Sequence, residues 1–293
     1  MTKGNLPPYD RVTTNRKWGP AFCRMRLCPI GGGMPNKTIS DAIFGLIDRS
    51  VNMKLGVALS GCGMGGVCAH RVLEEVERQG YEIAMVAASS IPAVAALCWS
   101  ARLKSEQVDL IAKRLLNDVA RWDLDTALAA TAETLTKIKP KQRRPVCVAS
   151  CNLTDGRMVV FTDNFSLNSD TFSALPLQEP YDMLSATVSG TAGLGSYALG
   201  EYRLCDYSAR YGCPIAPLRL CGLSRVLSIS FLPAVPTGAY EAALLQSLGQ
   251  ACPAVDLHLP IILPQDTDFE GCARYSVKTL REALENWEKT KAS

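Results

Sequence analysis

The sequence predicts an α/β fold in which helices cover both faces of a mostly parallel sheet. From residue 54 onward, short aliphatic runs alternate with segments whose apolar residues recur at helical spacing. The aliphatic runs are continuously apolar, which is typical of strands buried on both faces of a parallel sheet. Such a succession of strands and helices is typical of layered α/β architectures.

The first predicted strand is LGVALS at residues 55–60, and a glycine-rich loop follows it. The next segment is an amphipathic helix that Gly80 ends. Its apolar face is formed by Ala69, Val72, Leu73 and Val76. IAMVAAS at residues 83–89 is the second strand, and PAVAALCWS at residues 92–100 is the helix after it.

The remaining elements follow in the same way. A helix is predicted from Ser105, read as its N-cap. The inward face of this helix is formed by Val108, Ile111, Ala112 and Leu115. Two apolar runs, PVCVASCNL and RMVVFTD, flank the turn sequence TDG. They predict two strands around a turn. YRLCDYS predicts a strand that runs into a loop, and RVLSISFLP predicts another buried strand. An amphipathic helix from about Ser276 to Lys289 ends the chain.

Length and cysteine content limit the classes of protein. A chain of 293 residues allows one large α/β domain or two small ones. Twelve cysteines are spread mostly through apolar runs without a CxxC pair, and there are only two histidines. This pattern argues against a zinc site. We expect the cysteines to be reduced thiols that pack as small hydrophobic residues.

Residues 1–52 are predicted to form a poorly ordered basic extension, because they are rich in Pro, Gly and Arg and lack periodicity. They contain eight Lys or Arg and three Asp or Glu, a net charge of +5, which leaves −2 for the rest of a chain whose total is +3. The near-neutral remainder argues against a nucleic-acid partner. Two further hypotheses are a short helix at residues 40–50 and a start of translation at Met53.

The hydropathy pattern predicts a cytoplasmic location. No apolar run reaches the roughly 18 residues that a membrane span needs. The polar, proline-containing start does not resemble a secretory signal. The run KIKPKQRR at residues 137–144 carries five positive charges. It is either a solvated loop or a surface for transient contact with anionic membrane lipid.

The loop GCGMGG at residues 61–66 is the first candidate site. Glycines after a strand and before a helix free several backbone N–H groups to converge on one anion. The spacing Gly61-x-Gly63-x-x-Gly66 also matches a dinucleotide fingerprint, but the acidic residue expected about 20 residues later is missing. No Lys-Ser or Lys-Thr follows the last glycine, so the loop is not a P-loop. A tight turn without a ligand is the plain alternative.

The stretch VAASSIP at residues 86–92 is the second candidate site. A serine on a turn between a strand and a helix has the geometry of a nucleophile elbow, which favours Ser90 as a nucleophile. Pro92 is acceptable in the first helical turn, where its missing N–H is not needed. The alternative is that Ser89 or Ser90 caps the helix.

A nucleophilic serine needs a base, and the histidines do not suggest one. His70 lies inside a predicted helix and His258 lies in an apolar strand. A carboxylate can act directly in a Ser-Asp dyad. Asp206 is the best candidate, because it lies at a strand end before a turn of small residues. Asp155 in TDGR is better explained as a turn residue.

The three loops, in this order, resemble the patatin-like phospholipase family. That family has an oxyanion loop GGGxRG, a nucleophile motif GxSxG and a catalytic aspartate in DG[GA]. GCGMGG matches the first motif. ASSIP at residues 88–92 matches the second, with Ser90 as the nucleophile, and DYS at residues 206–208 matches the third. The resemblance covers about residues 54–290 and implies a three-layer α/β/α sandwich, in a domain that spans residues 53–293.

The chain departs from the family motifs at six positions. The replacing residues are Cys62, Gly65, Ala88, Pro92, Tyr207 and Ser208. Gly65 replaces the arginine of the family motif. The other five residues replace glycines, except that the family has glycine or alanine at the position of Ser208. We expect Pro92 to be the most consequential, because it fixes φ and can displace Ser90. Tyr207 places a bulky ring beside Asp206, where it can narrow the entrance for a substrate.

The resemblance implies a lipid acyl hydrolase that needs no metal or cofactor. Ser90 would attack an ester carbonyl, and Asp206 would accept its proton. Backbone N–H groups of the glycine-rich loop would stabilise the oxyanion. The loop consists of Gly61, Cys62, Gly63, Met64, Gly65 and Gly66. Two alternatives stay open: a catalytically impaired or lipid-binding protein with the same fold, and a protein that binds a nucleotide or phosphate through GCGMGG.

Overall fold

The structure is a computed structural model that describes residues 54–190, 194–236, 238–248, 255–265 and 267–292. The hypotheses on residues 1–52, on the helix at residues 40–50 and on Met53 lie outside the described residues. A single sheet of nine strands is the centre of the described part. The strands are β1 (Lys54–Gly61), β2 (Glu82–Ala88), β3 (Val146–Asn152), β4 (Met158–Phe161), β5 (Phe172–Leu175), β6 (Tyr197–Leu199), β7 (Tyr202–Asp206), β8 (Val226–Pro233) and β9 (Leu257–Leu263).

The strand order is β5-β4-β3-β2-β1-β8-β9. The four pairs from β3 through β2, β1 and β8 to β9 are parallel, and β4 is also parallel to β5. Strand β4 is antiparallel to β3, and so is β7, which pairs in turn with β6. The central sheet is therefore largely parallel, as predicted, and the carboxyl ends of β1, β2 and β3 lie at one edge, where open α/β sheets bind their ligands.

Ten helices occur in the described residues. They are α1 (Gly63–Val67), α2 (Ala69–Arg78), α3 (Pro92–Ser100), α4 (Ser105–Arg121), α5 (Leu124–Thr136), α6 (Pro180–Val188), α7 (Ser208–Tyr211), α8 (Ala216–Leu220), α9 (Ala239–Leu248) and α10 (Phe269–Ala292). None of the helices in these ranges is long and apolar enough to cross a membrane.

Helices pack on both faces of the sheet, which confirms the predicted sandwich. Along β1, Leu55, Val57 and Leu59 belong to one core cluster, which includes the apolar faces of α2 to α6 and of α10. Ala58 points the other way, into a second cluster with residues of α8 and α9. The alternation follows from the two-residue period of a strand. The inward residues predicted for α2 and α4 are all buried.

The structure corrects the predicted N-cap of α4 and the predicted start of the last helix. Helix α4 begins at Ser105 itself, so Lys104 is its N-cap, and the Lys104 N–H donates to Gln107 Oε1 over 3.1 Å. The last helix begins at Phe269, because Asp268 Oδ1 accepts the N–H of Gly271 over 2.7 Å and caps it. The glycine-rich loop also contains a short helix from Gly63 that the sequence does not predict, and the predicted amphipathic helix follows it from Ala69.

Candidate active site

Ser90 has the backbone conformation of a sharp turn between a strand and a helix. Strand β2 ends at Ala88 and helix α3 begins at Pro92. Ser90 has φ of +61°, and Arg102 is the other non-glycine residue with positive φ in the described ranges. This left-handed conformation costs about 1–3 kcal/mol, and such strained residues cluster at functional sites.

The capping interpretation of the two serines is wrong. No side chain caps α3, and its first turn is closed by the Ala93 N–H, which donates to Ser90 O over 3.0 Å. Pro92 is accommodated as the first residue of α3, where a missing N–H costs nothing. The turn therefore keeps its left-handed serine with alanine and proline in place of the two glycines of the family motif.

Asp206 is the last residue of β7 and is buried beside the end of α6. Its N–H donates to Ser189 O over 2.7 Å. Its Oδ1 accepts the N–H of Ser208, also over 2.7 Å, which closes a turn of the Asx type. The backbone thus holds the carboxyl group at a defined place at the end of the strand.

The sheet register places Ser90 and Asp206 on the same side of β3, where β2 ends. Ala88 on β2 pairs with Val148 on β3, so Ser90, two residues on, is level with Ser150. Ser150 pairs with Asp206 on β7. Because Ser150 also pairs with β4, on the side of β3 that faces away from β2, β7 lies on the same side of β3 as β2. No strand therefore separates Ser90 from Asp206. The structure brings together the serine and the aspartate that the sequence singled out.

The glycine-rich loop follows β1 at the same edge. Gly61 has φ of +120°, and a Cβ there would lie 2.1 Å from Phe231 O, so only glycine fits. The Cys62 N–H donates to Phe231 O over 3.1 Å, and the Gly66 N–H donates to Cys62 O over 3.3 Å. These bonds occupy two of the loop's amides.

Three amides of the loop remain for an anion. The N–H groups of Gly63, Met64 and Gly65 lie in the first turn of α1, where a helix has no internal acceptor. Among the described residues, no hydrogen bond of these three groups is found. Within the predicted oxyanion loop of residues 61–66, the amides of Cys62 and Gly66 are engaged in backbone hydrogen bonds, unlike these three.

A side chain at Gly65, the position of the family arginine, would force Leu263 to move. A Cβ on Gly65 would lie 2.3 Å from Leu263 Cδ1 and 3.1 Å from Phe231 Cβ. A Cβ on Gly66 would lie 3.0 Å from Pro92 Cδ, so the loop and the serine turn are in close contact. Gly65 is therefore part of the packing between α1 and the ends of β8 and β9.

Cys62 in the loop is a protonated thiol. Its pKa is raised to about 12, first by burial and then by the negative charges of Glu241 and Asp206. At neutral pH it is consequently a poor nucleophile.

The two residues after Asp206 pack inward. Tyr207 is buried in the second core cluster, and its ring stacks on Tyr211 with 5.0 Å between centroids. The Ser208 hydroxyl is bonded to those of Ser60 and Ser89. The sequence does not indicate a role for Ser60, because a serine within an apolar strand carries no local signal.

Thr187 on α6 is a second site residue that sequence reasoning missed. Its Oγ1 accepts the N–H of Ser90 over 2.8 Å and donates to Ala149 O over 2.7 Å. The helix that carries it is far from both motifs in sequence, so only the fold brings Thr187 to the serine turn.

Both histidines are engaged away from the serine turn. His70 Nε2 lies 2.7 Å from Asp109 Oδ1. His258 Nε2 donates to Leu248 O over 2.7 Å, and its Nδ1 therefore accepts from Ser228 Oγ over 2.9 Å. Asp155 accepts hydrogen bonds within its own turn, as predicted. In the described ranges, no three His, Cys, Asp or Glu residues are grouped to hold a metal ion.

The nine cysteines of the described residues form no disulfide. Six are buried and three are half-buried, namely Cys62, Cys205 and Cys221. Burial raises the pKa of Cys98 to about 12. These nine thiols therefore pack mainly as small hydrophobic groups.

Neither a protein-family model nor a curated protein matches the sequence. Among solved structures, the fold is similar to VipD from Legionella pneumophila, with a TM-score of 0.50, 9% identity and 80% of this chain covered. ExoU, in the ExoU–SpcU complex of the Pseudomonas aeruginosa type III secretion system, matches at a TM-score of 0.36 and 14% identity, also over 80% of this chain. The chain spans 66% of the VipD chain and 52% of the ExoU chain. The likeness to VipD, which has a patatin-like fold, supports a patatin-like fold for this chain.

Proposed function

We propose that the protein is a lipid acyl hydrolase in which Ser90 is the nucleophile and Asp206 is its base. The observation that carries the proposal is the left-handed Ser90 after the end of β2, on the same side of β3 as Asp206 at the end of β7. A patatin-like fold supports a hydrolase, and a left-handed serine at this place has no structural purpose as a helix cap.

Acylation begins when Ser90 Oγ attacks the ester carbonyl carbon. Asp206 takes the hydroxyl proton as the new C–O bond forms, and the carbonyl π electrons move to oxygen. The N–H groups of Gly63, Met64 and Gly65 donate to the resulting oxyanion. A preorganised backbone donor of this kind contributes about 3–4 kcal/mol to transition-state stabilisation.

Deacylation uses the same two side chains. Collapse of the tetrahedral intermediate breaks the bond to the alcohol, which leaves with the proton held by Asp206. The acyl group stays on Ser90. Asp206 then takes a proton from a water molecule while the water oxygen attacks the acyl carbon. When the second tetrahedral intermediate collapses, the bond from Ser90 Oγ to the acyl carbon breaks, Asp206 returns the proton to Ser90 Oγ, and the fatty acid is released. The sequence of steps requires neither a metal nor a cofactor.

The proposal is tested with wild type, Ser90→Ala and Asp206→Ala on a short-chain p-nitrophenyl ester and a mixed phospholipid panel. Asp170→Ala, which removes an exposed carboxylate, is the matched control. We expect wild type and the control to turn over and to take a fluorophosphonate label on Ser90. Loss of activity in both dyad variants supports the dyad, whereas an unlabelled, inert and well-folded wild type contradicts it.

The burial of the serine favours a second candidate, a protein that keeps the fold without catalysis. Ser90 is 1% exposed and Asp206 is 5% exposed, so a substrate must displace neighbouring groups to reach them. A non-catalytic protein would bind an intact lipid or an anion at this edge. Thermal shift with phospholipid, fatty acid or nucleotide distinguishes these ligands when wild type is inert.

We also propose transient contact with anionic membranes through the basic run. Lys137 pairs with Glu133, and Arg144 pairs with Glu77. Three cationic side chains of the run remain exposed, those of Lys139, Lys141 and Arg143. Near an anionic surface each contributes about 1 kcal/mol. The fraction of protein that sediments with phosphatidylserine vesicles should fall when these three residues are changed to Gln. An unchanged bound fraction contradicts the contact.

A further inference from the structure

Three buried serine hydroxyls form a closed ring that joins the three candidate motifs. Ser60 Oγ lies 2.6 Å from Ser208 Oγ, and Ser89 Oγ lies 2.9 Å from both. Ser60 precedes the glycine-rich loop, Ser89 precedes the proposed nucleophile, and Ser208 follows the proposed base by two residues. All three side chains are fully shielded from solvent.

The direction of the three hydrogen bonds follows from the proton count. Ser60 donates to Ser208. Each hydroxyl has one proton to donate, so Ser89 must donate to Ser60, and Ser208 must donate to Ser89. Every hydroxyl then donates once and accepts once, and the ring is satisfied. Loss of any one hydroxyl leaves a donor without an acceptor and an acceptor without a donor.

The ring is connected to both members of the proposed dyad. The Ser208 N–H donates to Asp206 Oδ1 over 2.7 Å, so the ring holds the residue that orients the carboxylate. Ser89 is covalently next to Ser90, and the Ser89 N–H donates to Leu59 O over 3.0 Å. Hydrogen bonds thereby connect the three loops to one another.

We propose that Ser60, Ser89 and Ser208 act together as positioning residues, which set the Asp206 carboxylate against Ser90 and the glycine-rich loop. The inference rests on the proposed function and adds three residues to it. It also gives a role to a departure from the family motif. Glycine and alanine have no hydroxyl, so the ring closes only because Ser208 stands at that position.

The first test is kinetic and uses Ser60→Ala, Ser89→Ala, Ser208→Ala and the triple variant. The control is Ser100→Ala, which removes a fully buried hydroxyl that donates to Arg144 O away from the ring. We expect each ring variant to lower kcat by about 10- to 100-fold with KM within about twofold, since a 1 Å displacement has that effect on rate. The triple variant should resemble the single ones, because the ring acts as a unit.

The second test does not depend on activity. Amide hydrogen exchange of the Ser208 N–H reports the bond to Asp206, and the Val226 N–H, which donates to Asp256 Oδ2 over 2.7 Å, is a remote reference. We expect exchange at Ser208 to accelerate at least about tenfold in Ser60→Ala and Ser89→Ala, because an opened ring releases that turn. The reference should not change.

The outcomes separate this inference from the proposed function. If the wild type is inert but the Ser208 N–H exchanges faster in Ser60→Ala than in the wild type, the result contradicts the hydrolase and supports the ring. An active wild type whose ring variants keep kcat and keep Ser208 protection overturns the ring while leaving the hydrolase intact. Equal losses of kcat in Ser100→Ala and the ring variants would also overturn it, since they would reflect general destabilisation.

Discussion

Thr187 links the nucleophile turn to the sheet through two hydrogen bonds. It accepts the N–H of Ser90 over 2.8 Å and donates to Ala149 O over 2.7 Å. Both bonds are buried, and they fix the N–H of the one residue in this turn with a left-handed conformation. Thr187 therefore bears directly on the geometry of the proposed site.

Thr187→Val should destabilise the protein and reduce ester turnover. The substitution keeps the shape but leaves the Ser90 N–H and Ala149 O without this partner, at about 1–3 kcal/mol for each buried group. Thr187→Ser keeps the hydroxyl and is the matched control. Urea unfolding and kcat of both variants check this. Equal stability and equal kcat for the two variants would show that the hydroxyl is dispensable.

Ser90→Gly should be more stable than Ser90→Ala, although both lack the nucleophile. The variants differ only in the Cβ, which is strained at φ of +61°. Relief of this strain is worth about 1 kcal/mol. At Ser89, which has no positive φ, glycine should instead be less stable than alanine by about 0.5–1 kcal/mol. Chemical denaturation of the four variants measures both differences, and the same order at both positions would refute a left-handed Ser90.

Gly65→Ala should destabilise the protein by about 1–3 kcal/mol, because its Cβ overpacks the core against Leu263. The close atom is Leu263 Cδ1, at 2.3 Å from the added carbon. A Gly65→Ala/Leu263→Ala double variant should be more stable than the sum of the single effects predicts, by at least about 1 kcal/mol. Gly195→Ala, with no atom within 4 Å of its Cβ, is the control. Simple additivity in unfolding free energies would exclude this contact.

His70 should make the protein less stable below pH 6.5. Burial lowers its pKa in the folded state, although its hydrogen bond to Asp109 opposes the shift. The unfolded state therefore binds the proton more readily, and stability present above about pH 6.5 is lost as the pH falls toward the folded-state pKa. The loss is at most about 1.4 kcal/mol per pH unit.

His70→Gln keeps a neutral donor for Asp109 and removes the titration. The variant should lose less unfolding free energy than wild type between pH 7.5 and 5.5, as measured by urea unfolding at each pH. Parallel curves for the two proteins would show that His70 takes up its proton equally well in the folded state.

The sequence alone was sufficient to predict most of the strands and helices of the fold. Continuous apolar runs predicted β1, β2, β3 and β8, because strands buried on both faces need aliphatic residues throughout. Helical spacing predicted the buried faces of α2 and α4. Helix ends were less accurate, since Lys104 and Asp268 act through single hydrogen bonds that do not alter the apolar pattern.

The sequence by itself also determined which residue types could carry chemistry: a serine after a buried strand, an aspartate at a strand end and a glycine-rich loop before a helix. Only the tertiary structure decided that they meet, because β7 reaches the sheet edge antiparallel to β3 and lines up Asp206 with Ser150. It also decided that Ser89 and Ser208 bond to each other across 119 positions of sequence. Hydrogen bonds between distant segments depend on strand order and register, and local sequence patterns do not encode these.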